Sequence, residues 1–483
     1  MTVLVSALGL APGIRGRAQE TNQIEELRRQ LERVQENFER VVREQQAQID
    51  ALKRQIEAAK TNAPGAVGAP PAGPVAETLA GRAPNAQPPP EVVQPPWSPT
   101  QPIRLGGAQN YLNLSFDALF AAGGSTASDI DKLETGGHDP KGRGFTIQNL
   151  ETVFDGKVDP YFRGQANVVL QIDPKGETTV EAEEAYLETM SLPLNLQVKA
   201  GQFCTEFGRL NSTHPHTWDF VDQPLVNGRF LGEDGLRSAG ARVSWLAPTP
   251  FYSELFLTVA NSVGSTAYSF RNDHGGRTFF GRPAADPGVK GFGDLLFVPR
   301  YAASFDLTEA QTVVAGASAA FGPNSSGGAS DTQIYGLDLF WKWKSPRQSG
   351  GFPFVTWQTE GMMRRFDAGA FAGNSSIPAL PAETLTDYGM YSQVSYGFRK
   401  GWVASVRGDY VFPEKRGLYE NLVGTDLERA SRWRLSPGLT YYPTEFSKIR
   451  LQYNYDQRDG IGQDHSVWLQ AEFLLGSHAA HQF

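Results

Sequence analysis

The twelve residues YFRGQANVVLQI (161–172) alternate with period two. Phe162, Gly164, Ala166, Val168, Leu170 and Ile172 fall on one face, and Tyr161, Arg163, Gln165, Asn167 and Gln171 on the other. Successive side chains of a β-strand point to opposite sides, so this run reads as a strand with one apolar and one polar surface. Soluble sandwiches contain such strands too, and the repetition and length of the runs decide between the readings. The pattern returns near 110–121, 144–155, 180–190, 194–203, 238–246, 251–261, 294–305, 312–321, 332–343, 354–365, 388–398, 402–412, 432–442, 448–456 and 466–476, sixteen runs in all. Soluble strands cluster near five or six residues, whereas a tilted strand needs about 9–11 to cross the hydrocarbon of a bilayer.

The connections alternate in length. Short ones fall at 155–160, 191–193, 247–250, 306–310, 345–353, 398–401 and 443–447. Longer ones fall at 122–143, 204–237, 262–293, 322–331, 366–387 and 413–431, with shorter members at 173–179 and 457–465. An even strand count with short turns on one side and long loops on the other predicts an all-β fold, a sixteen-stranded antiparallel transmembrane β-barrel over 104–483. Aromatics crowd the short turns: Trp341, Trp343, Phe352, Phe354 and Trp357 at one, Trp245 and Phe251 at another, Phe398 and Trp402 at a third, Tyr441, Tyr442 and Phe446 at a fourth. They read as an interfacial girdle.

Composition narrows the alternatives. No run of about 18 apolar residues exists to span a bilayer as a helix, and mean hydropathy is −0.36. A net charge of −8 gives no global attraction to nucleic acid. The single Cys204 cannot form an intramolecular disulfide. No nucleophile elbow, HExxH or phosphate loop is present, so an enzyme is not expected, and no cofactor is implied.

Ahead of the barrel lie three further zones. Residues 1–19 hold an apolar stretch and read as an export signal, although no basic residue precedes it. Residues 20–60 lack Pro and Gly and place Ile24, Leu27, Leu31, Val34, Phe38, Val42, Gln45, Ile49, Leu52, Ile56 and Ala59 at three-four spacing, the seam of a coiled-coil helix with one stutter near Phe38. Residues 61–103 form a Pro/Ala-rich linker that favours extended polyproline conformations and reaches on the order of 100 Å.

The stretch KAGQFCTEFGR (199–209) ends a strand and enters the long 204–237 loop. Its Gly201, Gln202, Phe203, Phe207 and Gly208 resemble the G-Q-F-x-x-x-F-G pattern of the phosphate-selective porin O/P family. The resemblance implies a homotrimer of barrels in the bacterial outer membrane passing small anions such as phosphate. It also implies a periplasmic N-terminal helix, an inward fold of the third long loop, and a terminal aromatic, here Phe483, read during assembly. The tail SHAAHQF after the last strand departs from that last feature.

With apolar positions facing lipid, parity places Arg163, Lys199, Arg242, Arg300, Lys342, Arg364, Arg407, Arg434 and Arg450 in the channel. Asp117, Glu184, Glu188, Glu254, Asp338, Glu360, Asp409, Asp456 and Glu472 lie there by the same parity. Nine bases against nine acids do not make an obvious anion filter, so selectivity rests on clustering at the narrowest level.

The stretch THPHTWDFVD (213–222) falls in the third long loop. Arg209, His214, His216, Asp219, Asp222, Arg229, Glu233, Asp234 and Arg237 are its constriction or anchoring candidates, while Trp218, Phe220 and Phe230 are expected to pack the loop on the wall. Partly protonated histidines there predict pH-sensitive conductance. The main expectation is a diffusion channel for small ions and solutes. The alternatives are a zinc-associated binding or uptake protein, with Asp219 or Asp222 completing an H-x-H ligand set, and an envelope-tethering barrel engaging peptidoglycan or a periplasmic partner through 20–103.

Overall fold

The computed structural model describes residues 101–107, 110–172, 176–271, 278–284 and 288–476. The expected signal, coiled-coil helix, nearly all of the linker and Phe483 lie outside these residues.

Sixteen strands form one antiparallel ring: β1 (Tyr111–Ser125), β2 (Gly144–Lys157), β3 (Phe162–Ile172), β4 (Thr178–Thr189), β5 (Leu196–Cys204), β6 (Arg237–Leu246), β7 (Tyr252–Asn261), β8 (Leu295–Thr308), β9 (Gln311–Pro323), β10 (Asp331–Ser349), β11 (Phe352–Ala368), β12 (Glu383–Arg399), β13 (Trp402–Pro413), β14 (Arg432–Thr444), β15 (Ser447–Arg458) and β16 (Gly462–Leu475). Each pairs with its sequence neighbour, and β16 closes the ring on β1 from Ser466 opposite Ser125 to Leu475 opposite Phe116. Where that ladder stops, the short segment Ile103–Gly106 pairs with the start of β1. Closure matters because a bilayer offers no water to satisfy an open strand edge. The strands run from 9 residues in β5 to 19 in β10, long enough to cross.

Strand β15 shows which way the barrel faces. Its even residues Lys448, Arg450, Gln452, Asn454 and Asp456 are at most 1% exposed, while Ile449, Leu451 and Tyr453 are 45%, 51% and 37% exposed. Apolar side chains outside and charged ones inside invert a soluble barrel and match a lipid-facing wall. The sixteen expected strands and the loop alternation are all present.

Two features depart from strict alternation. Between Asn167 and Val168 of β3 the pairing skips a residue on β4, so Glu183 and Glu184 are both buried on the inner face. A second bulge, at Gln148 of β2, buries Gln148 and Asn149 together. A bulge adds one residue to one strand and re-aims its side chains. The girdle also needs correction. Trp245, Phe251, Trp357, Phe398 and Tyr441 are exposed on the outside, but Phe352 and Phe354 share the inward parity of Gln358 and Glu360 and pack in the interior with Val403 and Tyr442.

Candidate functional site

The third long loop, residues 205–236, crosses the lumen. Its entry explains the glycine of the motif noted above. Gly208 has φ +61°, and a Cβ there would strike the Glu360 carboxylate at 2.0 Å. Glycine therefore lets the backbone come down on that carboxylate, which accepts the Arg209 and Leu210 amides at 3.1 and 2.9 Å, while the Gly208 amide donates to Ser318 at 3.0 Å. Phe207 and the helix α1 (Leu225–Phe230) bury Phe207, Leu225, Val226, Phe230, Leu231 and Leu236 against Val298, Ile334, Met362, Tyr391 and Val411 of the wall. This apolar face offsets the conformational entropy lost in ordering a long loop.

The middle of the loop is held by charge. Asp222 is 1% exposed and accepts hydrogen bonds from Arg407 at 2.7 Å, Arg434 at 2.5 Å, Asn454 at 2.7 Å and Gln452 at 2.8 Å, joining β13, β14 and β15 at one carboxylate. Burial alone raises the Asp222 pKa, but Arg407 and Arg434 outweigh it and hold the group at about 2. On either side of this hub, Gln452 accepts the Val221 amide, Arg450 donates to the Trp218 carbonyl, Ser395 to Asp219, and Asp409 accepts the Leu225 amide. Arg364 donates to the Arg229 carbonyl, and Arg229 in turn donates to the Ala430 carbonyl of the 414–431 loop.

His214 and His216 reach the opposite wall. His214 sits with Nδ1 3.0 Å from Glu183 and 3.6 Å from Glu151, and with Nε2 3.1 Å from Glu184. His216 Nδ1 lies 3.4 Å from Glu151 and 3.6 Å from Asp117, and its backbone carbonyl accepts Lys448. Burial would drive the proton off His214, yet Glu151 and Glu183 overcome it and hold the pKa well above its usual value. The acids around His214 thus favour its charged form over the neutral one. Asp219 and Asp222, the expected partners of the two histidines, bond elsewhere.

All nine predicted channel bases point inward, and most are engaged. Arg163 pairs with Glu188, Arg242 with Glu206, Arg300 with Asp338, Arg364 with Asp387, Arg407 with Asp222 and Asp409, and Arg434 with Asp222, Glu134 and Asp456. Arg450 bonds Gln470, and Lys199 lies 3.7 Å from Glu206. Of the loop candidates, Arg209 stacks over Phe340 at 3.9 Å, Glu233 pairs with Lys141, Asp234 approaches His138 at 4.0 Å, and Arg237 pairs with Glu181. Trp218 donates to Thr213, Phe220 lies under Arg407 and Phe230 under Arg364. The parity reading missed Glu151, Glu183, Asp387, Lys448 and Arg432. Lys448 and Arg432 follow the same alternation as Arg450 and Arg434, whereas Glu183 is brought inward by its bulge.

The wall is not sealed evenly. From β11 to β16 the inner charges are buried under the loop. On β3, β4, β5, β7 and β10 the inward Arg163, Glu188, Lys199, Glu254 and Lys342 are half-exposed.

A closed barrel, apolar outside, charged inside and crossed by one bonded loop, belongs to the class of membrane-spanning β-barrels. No protein-family model matches the chain. A protein of Aquifex aeolicus (strain VF5), described as uncharacterized, is 32% identical over 410 residues, covering 77% of this chain and 79% of that protein, and the chain belongs to its family. Among solved structures, the outer membrane channel DcaP of Acinetobacter baumannii is 13% identical, with TM-score 0.47 and coverage of 77% of this chain and 99% of its own. OprB of Pseudomonas putida is 10% identical, with TM-score 0.45 and coverage of 75% and 94%. OmpF of Salmonella typhi is 12% identical, with TM-score 0.42 and coverage of 77% and 100%. Likenesses this distant carry no inference about the chain.

Proposed function

We propose that the protein is an outer-membrane diffusion channel for small ions and solutes, not an enzyme, and that residues 204–237 set its constriction. The observation carrying this reading is the uneven interior: the inner charges of β11–β16 are buried under the crossing loop, while Arg163, Glu188, Lys199, Glu254 and Lys342 on β3, β4, β5, β7 and β10 stay half-exposed. A barrel interior filled only for stability would have no reason to keep charges wet on one side.

An anion preference, with phosphate among the permeants, is supported by one cluster. Lys342 and Lys344 share the inward parity of Phe340 on β10, and Arg209 of the loop stacks over Phe340 at 3.9 Å. Like charges gathered at the level of the loop dominate the barrier to an ion. Assembly as a homotrimer is part of this proposal and is checked by crosslinking in native membranes.

Planar-bilayer recording of the purified full chain tests the function. The expected result is discrete channel steps, with a reversal potential across a salt gradient displaced toward the anion equilibrium. A protein that inserts and never conducts refutes the channel, and a cation-directed reversal potential refutes only the anion preference.

A further inference from the structure

We infer that the two loop histidines and the acids of β1, β2 and β4 form a paired site for divalent transition-metal ions of the zinc type, with Glu151 shared between two metal positions. One position is Asp117, Glu151 and His216, the other Glu151, Glu183 and His214, and in each the three donor atoms lie within 4.8 Å of one another. Glu151 turns one carboxylate oxygen to each histidine, Oε1 to His214 and Oε2 to His216, and both histidines present Nδ1. The imidazoles are stacked, with centroids 5.8 Å apart and planes 10° apart.

The spacings fit coordination. Zn–N and Zn–O bonds near 2.0–2.2 Å in a tetrahedron set donor-to-donor edges of about 3.4 Å. The His216 Nδ1 to Glu151 and Asp117 distances are 3.4 and 3.6 Å, and His214 Nδ1 lies 3.6 and 3.0 Å from Glu151 and Glu183.

Two further observations separate this from an ordinary acidic patch. Asp117 is fully enclosed, and neither of its carboxylate oxygens accepts a hydrogen bond. A buried carboxylate so placed lacks the hydrogen bonds that ordinarily satisfy it, and a metal ion held with His216 and Glu151 would supply its partner. His214 also carries the outer partner that metal-bound histidines use: its Nε2 lies 3.1 Å from Glu184, the carboxylate that orients the ring while Nδ1 serves the metal. The β4 bulge makes this possible by turning Glu183 and Glu184 inward together, one for each ring nitrogen. Asn167 and Asn149 donate to Glu151 Oε1 and Oε2 at 2.6 and 3.3 Å, which leaves each oxygen a further lone pair for a metal. Arg237 and His138 approach Glu183 through its Oε1 at 3.5 and 3.6 Å, while Oε2 faces His214, and Lys448 pairs with Glu472. Each position has three protein donors, so water or a permeant anion would complete a fourth.

This inference goes beyond the channel reading and stands apart from it, since zinc stoichiometry and conductance are separate measurements. The test uses the full chain in detergent, stripped with chelator and titrated with Zn²⁺ alone, with metal counted by mass spectrometry and Co²⁺ substitution read by visible absorption. The expected result is two Zn²⁺ per chain and Co²⁺ bands of a tetrahedral N/O site. Asp117→Asn lowers the count to one, Glu151→Gln loses both, and Glu184→Gln weakens binding about 10–100-fold. Glu309→Gln, at a short turn far from the cluster in the ring of strands, leaves the count at two. Fewer than two ions on the wild-type chain, or undiminished binding in Glu151→Gln, overturns the inference. Should Glu151→Gln fail to fold, the wild-type and Asp117→Asn counts decide.

Discussion

On β11–β16 the inward arginines Arg364, Arg407, Arg434 and Arg450 are at most 1% exposed and bonded to the crossing loop or to the acids that hold it, whereas Arg163 on β3, Lys199 on β5 and Lys342 on β10 are half-exposed. The same alternation put both sets inside the barrel. What differs is the loop. Where it lies, charges become internal ion pairs in a low dielectric, and removing one partner leaves the other buried and uncompensated. Where it does not, the pairs are wet, screened and weak. Much of the interior is therefore built as structure, and the half-exposed positions on β3, β4, β5, β7 and β10 are left to interact with solutes.

The sharpest way to break this contrast is at the hub. Asp222→Ala removes the carboxylate shared by Arg407, Arg434, Gln452 and Asn454, leaving Arg407 with Asp409 and Arg434 with Glu134 and Asp456, and a cost of about 3 kcal/mol is expected, read as a large drop in the temperature at which the compact barrel band is lost on heated gels. The loop released from β13–β15 should also raise single-channel conductance. Unchanged melting would show that the loop is not held by this carboxylate.

Acid tests the same hub without mutation. The Asp222 pKa is depressed to about 2 against an ordinary 3.8. A depressed acid contributes stability that is complete above its unfolded value and is lost as pH falls through its folded one. Stability should thus decline between about pH 4 and pH 2 by about 2 kcal/mol, and Asp222→Asn should flatten that decline. An equal acid slope in the variant would assign the effect to other carboxylates.

The open side predicts small effects on stability. Arg163→Gln removes a half-exposed pair with Glu188, worth about 0–1 kcal/mol, and melting should hardly move. Lys342→Glu should likewise leave melting within about 0.5 kcal/mol while turning the reversal potential toward cations. A severe loss of stability from either change would erase the distinction between the two sides.

Much of this was readable from residue order. KIRLQYNYDQR shows its inner face directly, because a strand between lipid and a polar interior permits no other alternation. Loop lengths marked the 204–237 connection as long, and the resemblance carried by KAGQFCTEFGR, not its length, implied that it folds inward. The inward turn of Glu183 was not readable, since a bulge depends on the pairing of two strands and period two alone assigns Glu183 and Glu184 to opposite faces. Phe352 and Phe354 misled for a related reason: composition suggests an interfacial girdle, yet their parity with Glu360 turns them inward onto Val403. Asp222 was singled out as a loop residue, but its four partners come from three strands more than 180 residues away, a convergence that only the closed ring produces. The histidines were legible as a motif and Asp117 as an inward acid, but their meeting with Glu151 and Glu183 was not, because the three acids come from three separate strands.

The central claim is that the loop is a fastened partition beside a conducting wall. Its most direct test is single-channel recording of the wild-type chain and Asp222→Ala under identical salt. Discrete openings are expected for the wild type and larger ones for the variant. Wild-type protein that never opens, or a variant of unchanged conductance despite a lowered melting temperature, would contradict it.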